Sequence, residues 1–481
     1  MGFTPDAPRT APGIITDCSS FVPYESGMEA AASESSTGID ALAAPAVGAI
    51  AWTKLDATNR VLAASNATRL YELSGTTWTD RSAGGSAYAA TNFVTFAPFG
   101  AAIVAALGTG TALQTSTTAA FSAISGAPQA KFCFSVITSG GGFVIAGNTN
   151  SNADAWHCSG VNDHTTWATS IATQANTGRL IGNDSGELTA GIEFGDRAVL
   201  FKRRTMFLGN YVGGSTTFSW AEVPGGAGCV GPFAVANVDF GLFFVGPDNI
   251  WLFDGARPLP IADNQVRQWF FNELSPTYFD RVRVIYDKLR NRVQIHYPNQ
   301  TSSGTCNACL VYHLVSKQWG KDDRIVQHTL VYIQPSVTWA TVTGTWASTT
   351  LTWDSNELNP SSRTIAIFDS ANTLKTLTGT PGASSFTTED FGDEFTESFM
   401  DEIRLRYATV PTTAQAVGYT LDEAADSADI QLTQASSDIP ASAKNKFDLR
   451  QCGRFHRVKF NFTGPCRVVG KQPRLKPAGG R

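Results

Sequence analysis

A degenerate unit recurs along most of the chain and limits what it can fold into. The unit is an apolar pair, a turn, an apolar–aromatic–x–apolar run, a Ser/Asp/Asn-Gly step and then another aromatic residue. Four clear copies begin at Arg69, Asp154, Asn249 and Leu310, and three weaker copies begin near Thr111, Thr205 and Thr364. Successive starts lie 42, 43, 51, 44, 61 and 54 residues apart. A unit of this length built of short strands indicates a β-propeller blade, which must stack with others in a ring.

The repeat therefore predicts an all-β protein in three parts. An extended N-terminal arm covers residues 1–45 and includes a short helix near Gly27–Ser35. A β-propeller of about six or seven small antiparallel blades covers residues 46–380, and a C-terminal β-rich domain with an acidic and then a basic segment covers residues 381–481. We expect four aromatic residues of the clear copies to occupy equivalent buried strand positions: Tyr71, Trp156, Trp251 and Tyr312.

One helix is predicted within the propeller, at Asp263–Leu274. Its apolar residues recur at helical spacing, Asp263 stands where a side chain could cap the first turn, and Pro276 follows the end. The apolar stripe is interpreted as a packing face.

The charges are distributed unevenly. Residues 385–443 contain 12 acids and 2 bases, whereas residues 444–481 contain 11 bases and one acid. Such asymmetry predicts docking between the two segments, either within the chain or between neighbouring subunits, across a wet boundary. The candidate interface residues are the bases Arg450, Arg454, Arg457, Lys459, Arg467 and Lys471 and the acids Glu389, Asp390, Asp393, Glu394 and Glu397.

The opposite pattern lies upstream, where Lys131 is the one charged residue between Arg81 and Asp154. A Ser/Thr-rich β surface solvated by hydroxyl groups would account for this. A surface covered by other subunits would also account for it, because interface cores are depleted in charge. Aromatic residues near bases at Arg197–Phe207 and Arg450–Phe462 fit contact with a nucleic-acid backbone, but a charged strand in a subunit interface is the favoured interpretation.

No motif for catalysis or cofactor binding emerges. The six histidines form no zinc-protease pattern, and Cys306-Asn-Ala-Cys309 lacks the second pair that a structural zinc site needs. Gly226–Gly231 matches G-x-G-x-x-G, but a strand-like run follows instead of a helix. Ser74-Gly-Thr-Thr-Trp78 resembles the second half of a sialidase turn motif, but Leu73 replaces its aspartate. We therefore predict no enzymatic activity, metal or cofactor.

Targeting signals are also not predicted. The first residues lack a basic stretch followed by an apolar run, and Phe93–Leu107 is broken by Pro98 and Gly100, so neither a secretory signal nor a stable membrane span is expected. Eight cysteines without a signal peptide favour reduced thiols and synthesis in a cytoplasm.

Two stretches carry a resemblance to a known family. Gly241–Asp263 runs into Val266-Arg-Gln-Trp-Phe270, and Val282–Trp319 holds a Tyr-Asp…Asn-Arg-Val-x-Ile-x-Tyr-Pro hairpin before Leu-Val-Tyr-His…Gln-Trp. These resemble the nozzle, or tail tubular, proteins of short-tailed bacteriophages, and Gly453–Gly470 is similar to their closing strands. The resemblance covers roughly residues 45–320 and 450–475.

The resemblance implies a non-enzymatic virion protein made in the cytoplasm of a bacterial host. It would form a homo-hexameric ring in the phage tail, below the portal and adaptor, with a tail needle, fibres or spikes attached. Double-stranded DNA would pass non-specifically through the channel during genome ejection. The alternative from another class is a carbohydrate-binding or glycan-cleaving propeller, such as a receptor-binding protein.

Overall fold

The structure is a computed structural model that describes residues 1–66, 68–182, 186–333, 363–421, 431–435 and 445–478. The N-terminal arm forms five strands, which are β1 (Gly2–Phe3), β2 (Ile14–Ser19), β3 (Phe21–Tyr24), β4 (Gly27–Ala30) and β5 (Ser33–Ser36). The predicted helix near Gly27–Ser35 is therefore wrong. Pairing with a distant strand, rather than local preference, determines the conformation of this segment. A Cβ atom on Gly27 would lie 2.2 Å from the carbonyl oxygen of Val468, so glycine permits the close approach of the neighbouring strand.

Seven small antiparallel sheets follow in the described part of the chain, and we number them as blades 1–7. The strands of blades 1 and 2 are β6 (Ala46–Thr53), β7 (Asn59–Ser65), β8 (Arg69–Ser74), β9 (Thr77–Asp80), β10 (Thr95–Phe99), β11 (Ala102–Ala106), β12 (Gly108–Ala112), β13 (Gln114–Ser116) and β14 (Ser122–Ala123). A 3-10 turn at Ala83–Gly85 separates these two blades. Strand β12 leaves blade 2 and pairs with the first strand of blade 3.

Blades 3–5 continue the pattern of four-stranded meanders. Their strands are β15 (Gln129–Thr138), β16 (Gly141–Thr149), β17 (Ala155–Cys158), β18 (Asn176–Arg179), β19 (Leu188–Phe194), β20 (Arg197–Lys202), β21 (Met206–Gly213), β22 (Thr217–Glu222), β23 (Val235–Val238), β24 (Gly241–Val245), β25 (Ile250–Phe253) and β26 (Pro258–Pro260). Helix α1 (Arg267–Glu273) and a 3-10 turn (Phe279–Arg281) lead to blade 6.

Blades 6 and 7 are joined to the arm. Their strands are β27 (Arg283–Asp287), β28 (Arg292–Tyr297), β29 (Ala308–His313), β30 (Gln318–Asp322), β31 (His328–Ile333), β32 (Arg363–Phe368) and β33 (Leu374–Gly379). Strand β5 of the arm pairs antiparallel with β33 and supplies the fourth strand of blade 7. Strand β3 pairs with β30 and extends blade 6.

The blades form a closed ring. The first strand of each blade contacts the first strand of the next, in the order β6, β10, β15, β19, β23, β27 and β31, and β31 contacts β6. Each sheet buries its faces against its two neighbours, which is the packing of a β-propeller. The predicted all-β propeller of about six or seven blades is thus confirmed, with seven.

The repeat aligns with one strand of the blade. Six of its seven starts lie at the third strand or just before it, and the start near Thr364 is wrong because this residue lies in β32, the second strand of blade 7. The four marker aromatic residues all lie on third strands, namely Tyr71, Trp156, Trp251 and Tyr312. Three of them are buried, whereas Trp251 is half-buried.

The predicted helix exists but begins later and is capped differently. Its buried face carries Phe270, flanked by buried Val266 and Leu274. Asp263 does not cap it and instead accepts a hydrogen bond from Asn249 at 2.8 Å. The cap comes from the arm: the Asp6 carboxylate accepts the backbone N–H groups of Gln268 and Trp269 at 2.6 and 2.9 Å. A carboxylate from a distant segment therefore satisfies the first turn.

The C-terminal segment and the arm together form two packed sheets. The strands are β34 (Ala383–Thr388), β35 (Phe391–Gly392), β36 (Ser398–Thr409), β37 (Thr413–Leu421), β38 (Gln431–Ala435), β39 (Lys446–Gly453), β40 (Phe455–Thr463) and β41 (Arg467–Pro477). One sheet has the order β1-β2-β34-β40-β37-β38, with β35 also on β40. The other continues blade 6 as β27-β28-β29-β30-β3-β4-β41-β36-β39.

One apolar core lies between these sheets and reaches the propeller. Phe386 and Phe460 of the first sheet belong to the same buried cluster as Leu405 and Phe447 of the second. Phe21 of the arm stacks on Phe386 with ring centroids 5.2 Å apart. The arm, blade 6 and the C-terminal domain are therefore joined by both backbone pairing and core packing.

Candidate assembly site

The acidic and basic C-terminal segments meet within the chain. The Asp390 carboxylate accepts both Nε and Nη2 of Arg457, at 2.6 and 2.7 Å, and the two side chains are 0% and 2% exposed. Residue Asp390 follows β34 and Arg457 lies in β40, and these two strands pair directly. The expectation of a wet boundary is wrong at this contact, because both side chains are almost fully buried and the bidentate geometry satisfies both charges.

A second pair of candidate residues lies beside the first. The Lys471 ammonium contacts the Glu389 carboxylate, and both side chains are buried. Lys471 also donates a hydrogen bond to the carbonyl oxygen of Ile14 at 2.7 Å, so it ties β41 to the arm. Four of the predicted interface residues therefore fasten parts of one chain together and do not face a neighbour.

Arg467 belongs to a bridge that includes two residues outside the predicted set. The Glu29 carboxylate accepts Nε of Arg467 at 2.6 Å and Nη2 of Arg292 at 2.5 Å. Burial opposes ionisation of Glu29, but the two arginines outweigh burial, and the pKa of Glu29 is lowered. This bridge connects β4 of the arm with β41 of the C-terminal domain and β28 of blade 6. No sequence motif marks it, because its three members are more than 170 residues apart in the chain.

The remaining candidates stay at the surface of the C-terminal domain. Arg450, Arg454, Asp393, Glu394 and Glu397 are exposed, and Lys459 is half-buried. The acids surround Phe395, whose side chain is 92% exposed at the tip between β35 and β36. Asp393 fixes this tip by accepting the backbone N–H groups of Phe395 and Thr396, both at 2.8 Å. These predicted interface residues are accessible at the surface of the single chain.

The charge-poor stretch surrounds blade 2. Its exposed residues share small, uncharged side chains, and they include Ser86, Ala87, Ala89, Ala90, Asn92, Thr109, Thr117, Thr118, Ala119, Ala120, Ser122, Ala123 and Ser125. We call this set the blade 2 surface. In blade order, blade 2 lies three steps from blade 6 through blades 7 and 1, and four steps through blades 3–5. The blade 2 surface and the C-terminal domain are therefore on nearly opposite sides of the ring.

Large apolar side chains are exposed mainly on one face of the propeller. In a four-stranded meander, the turns after the first and third strands lie at the same end of the sheet. Seven exposed apolar residues occupy or adjoin such turns: Leu55, Ile137, Ile171, Val212, Phe240, Leu289 and Val315. We call this the apolar face. Ile181 and Ile325 lie on connections between blades, at the opposite face.

The histidines and cysteines lie mostly inside the fold. All eight cysteines are free, and the two of the C-x-x-C motif are buried. The Cys309 sulfur lies 3.9 Å from Nε2 of His296, and the Cys306 sulfur lies 3.4 Å from the carbonyl oxygen of Arg281. Among the residues that the structure describes, no group of three or more His, Cys, Asp or Glu side chains could hold a metal ion.

The burial of two histidines predicts that the stability of the fold depends on pH. Burial, followed by Arg324 and Arg283, lowers the pKa of His296 to about 3, and burial and Arg283 lower the pKa of His328 well below its ordinary value. In the unfolded chain both bind a proton below about pH 6.5. The unfolded state then binds more protons, so stability falls with acidification by about 1.4 kcal/mol per pH unit for each histidine.

Urea unfolding at pH 7, 6 and 5 measures this effect. We expect the free energy of unfolding to fall by roughly 4 kcal/mol over this range for the two histidines together. The variant His296→Gln should lose about half of that pH dependence. An unchanged dependence in this variant would show that His296 titrates normally in the folded protein.

In the described ranges, helix α1 and the short 3-10 turns are the helical elements, and none is long and apolar enough to cross a membrane.

Comparison with known proteins does not assign the chain to a family. No protein-family model matches the chain, and no curated protein matches it. Among solved structures, the computationally designed Ika8 protein matches at 9% identity with a TM-score of 0.37, covering 70% of this chain and 97% of its own. A chain in the structure of BBS1N in complex with ARL6DN matches at 9% identity with a TM-score of 0.42, covering 75% of this chain and 97% of its own.

Proposed function

We propose that this protein is a structural subunit of the tail nozzle of a short-tailed bacteriophage. It would assemble into a ring of about six copies that conducts double-stranded DNA during genome ejection and holds other tail parts. The resemblance of Gly241–Asp263 and Val282–Trp319 to nozzle proteins suggests the class. The observation that carries the proposal is the exposed blade 2 surface, which has no charge between Arg81 and Lys131. Such depletion is typical of the core of a protein interface.

The position of this surface supports a ring. The blade 2 surface and the charged C-terminal domain are two different surfaces on nearly opposite sides of the propeller. Contact between unlike surfaces of successive copies is heterologous, and it closes into a ring when the rotation per copy fits. Arg450, Arg454 and the acidic Phe395 tip would lie at the rim of this contact, where charges set register more than affinity.

The apolar face supports the attachment of tail parts. Its residues are separate tips on blades 1 and 3–6, and Leu55 is 85% exposed and Ile137 is 74% exposed. A ring of such subunits would repeat these tips at one end, where an adaptor or a needle, fibre or spike protein would contact them in this proposal. The proposed role is non-enzymatic.

Mass measurement of the purified chain tests the assembly. We expect native mass spectrometry to detect a ring of about six copies. The variant Ala123→Glu places a charge on the outer strand β14 of blade 2, where burying it unpaired in an interface is costly. It should reduce the ring to monomers without changing the melting temperature. The control Thr216→Glu adds the same charge to an exposed turn of blade 4 and should leave the ring intact.

The opposite result is equally informative. A wild-type monomer at all concentrations would contradict the nozzle proposal and favour the carbohydrate-binding propeller. Rings that persist in Ala123→Glu would instead place the subunit contact away from blade 2.

A further inference from the structure

A cavity of about 410 Å³ lies where four parts of the molecule meet, and the assembly described above does not use it. The arm contributes residues 29–32, blade 6 contributes parts of β27–β30, blade 7 contributes the end of β33, and the C-terminal domain contributes Cys466 and Arg467. This volume is in the range of small-molecule sites.

A third of the residues that line the cavity are charged. Four arginines and three carboxylates line it, which are Arg290, Arg292, Arg324, Arg467, Glu29, Asp287 and Asp322. The carboxylates are already engaged: Glu29 bridges two arginines, Asp287 accepts Nη1 of Arg290 at 3.1 Å, and Asp322 accepts Nε of Arg324 at 2.5 Å. The arginines exceed the carboxylates by one, so the cavity carries an excess of positive charge.

Two of these arginines have donor groups without an acceptor. Nε of Arg292 and Nη1 of Arg324 are buried and make no hydrogen bond to the described protein. The side chains are 7% and 9% exposed. An unsatisfied buried donor on a charged group is costly, and a guanidinium offers donors and no acceptor. A group that binds against these guanidinium groups must therefore present oxygen lone pairs.

We propose that this cavity binds a small oxyanion, a phosphate or a carboxylate, through Arg292 and Arg324. An anion neutralises the excess charge, and guanidinium geometry suits both oxyanion types. A metal cation is disfavoured, because each of the three carboxylates is already paired with an arginine.

Because of its location, a bound anion would connect several parts of the molecule. Arg292 lies in blade 6, Arg324 donates to the carbonyl oxygen of Ala32 in the arm at 2.8 Å, and Arg467 of the C-terminal domain completes the wall. An anion held here would couple these parts. Because it binds the folded state alone, it would stabilise the fold as its concentration rises.

Isothermal titration calorimetry on the full chain tests the proposal. Sodium phosphate and sodium acetate are titrated separately, in chloride buffer at constant ionic strength. We expect one saturable site per chain for at least one of them. The same anion should raise the melting temperature, with the folding equilibrium shifting about 100-fold at 100 times Kd. The anion that gives the heat identifies the chemistry: phosphate, carboxylate, or both.

Amino-acid substitutions test whether the anion binds at this cavity. Arg324→Gln should weaken binding by about 10- to 100-fold, the equivalent of one hydrogen bond from a charged group. The control Arg257→Gln removes an exposed arginine between β25 and β26 and should bind as the wild type does. If Arg324→Gln does not fold, Arg324→Lys keeps the charge facing Asp322 but loses the planar fork, and it should also bind more weakly.

Two results would overturn the proposal. One is the absence of saturable heat with either anion in the wild-type protein, which would mean that water fills the cavity. The other is unchanged affinity in a folded Arg324 variant. Neither result bears on ring assembly, which is measured by mass.

Discussion

Deletion of residues 1–45 is expected to abolish cooperative folding of the entire chain, although the deletion leaves β6–β33 intact in sequence. Strand β5 is the fourth strand of blade 7, and β3 and β4 connect blade 6 to the C-terminal domain. Phe3, Ile15, Phe21 and Met28 of the arm are each at most 1% exposed. At roughly 1.5–3 kcal/mol for each buried side chain, their loss removes about 6–12 kcal/mol. A typical domain has only about 5–15 kcal/mol of stability.

Circular dichroism melting and limited proteolysis would measure this effect. We expect the truncated chain to lose its cooperative transition and to be cleaved along its whole length, including blade 7. A peptide of residues 1–45, added in trans, should restore protection of blade 7 by pairing with β33.

A pair of point variants tests the packing of the arm without deleting any residue. Phe21 is fully buried and stacks on Phe386, whereas Phe240 is 53% exposed on the apolar face. Phe21→Ala should lower the free energy of unfolding by about 3–5 kcal/mol, the usual cost of a large cavity. Phe240→Ala should leave it within about 0.5 kcal/mol of the wild type. Equal effects of the two substitutions would mean that the arm does not pack as described.

The propeller could be predicted from the sequence because its signal is local and repeated. In blades 1, 3, 5 and 6 the third strand carries an apolar run followed by a turn, so Arg69, Asp154 and Asn249 mark equivalent positions. The last copy, near Thr364, lies on a second strand instead, and the fourth strand of blade 7 comes from the other end of the chain. The strand Ser33–Ser36 has no apolar residue, and its partner Leu374–Gly379 lies more than 330 residues away. Such pairing has no local signal.

The sequence predicted which charged segments would meet, but it did not predict the geometry of their contacts. Opposite charge in adjacent segments indicated that they would meet, and Asp390–Arg457 and Glu389–Lys471 are such contacts. Whether a pair is wet or dry depends on what covers it, and Asp390 and Arg457 are almost fully buried by the folded chain. The sequence did not predict the bridge of Glu29 with Arg292, nor the burial of Arg324. An arginine beside a turn is ordinarily a solvated residue, so nothing in the sequence indicates its partner.

Breaking the Asp390–Arg457 pair should destabilise the C-terminal domain strongly. Arg457→Met keeps an unbranched apolar stem but leaves the Asp390 carboxylate buried without its partner. Loss of one member of a buried pair costs about 3–5 kcal/mol, because the remaining charge is uncompensated. We expect a fall of this size in the free energy of unfolding, measured by urea titration.

The double variant Arg457→Met/Asp390→Leu tests the reason for that loss. Two buried charges replaced together by apolar groups leave no unpaired charge, so most of the stability should return. The matched control is Lys476→Met, which removes a base of the same segment from its pair with Asp401, a pair at the surface. This control should not change the melting temperature. If the double variant were no more stable than Arg457→Met, the pair would be needed to position β34 against β40. The charges would then specify the pairing of the two strands, and an apolar core could not replace them.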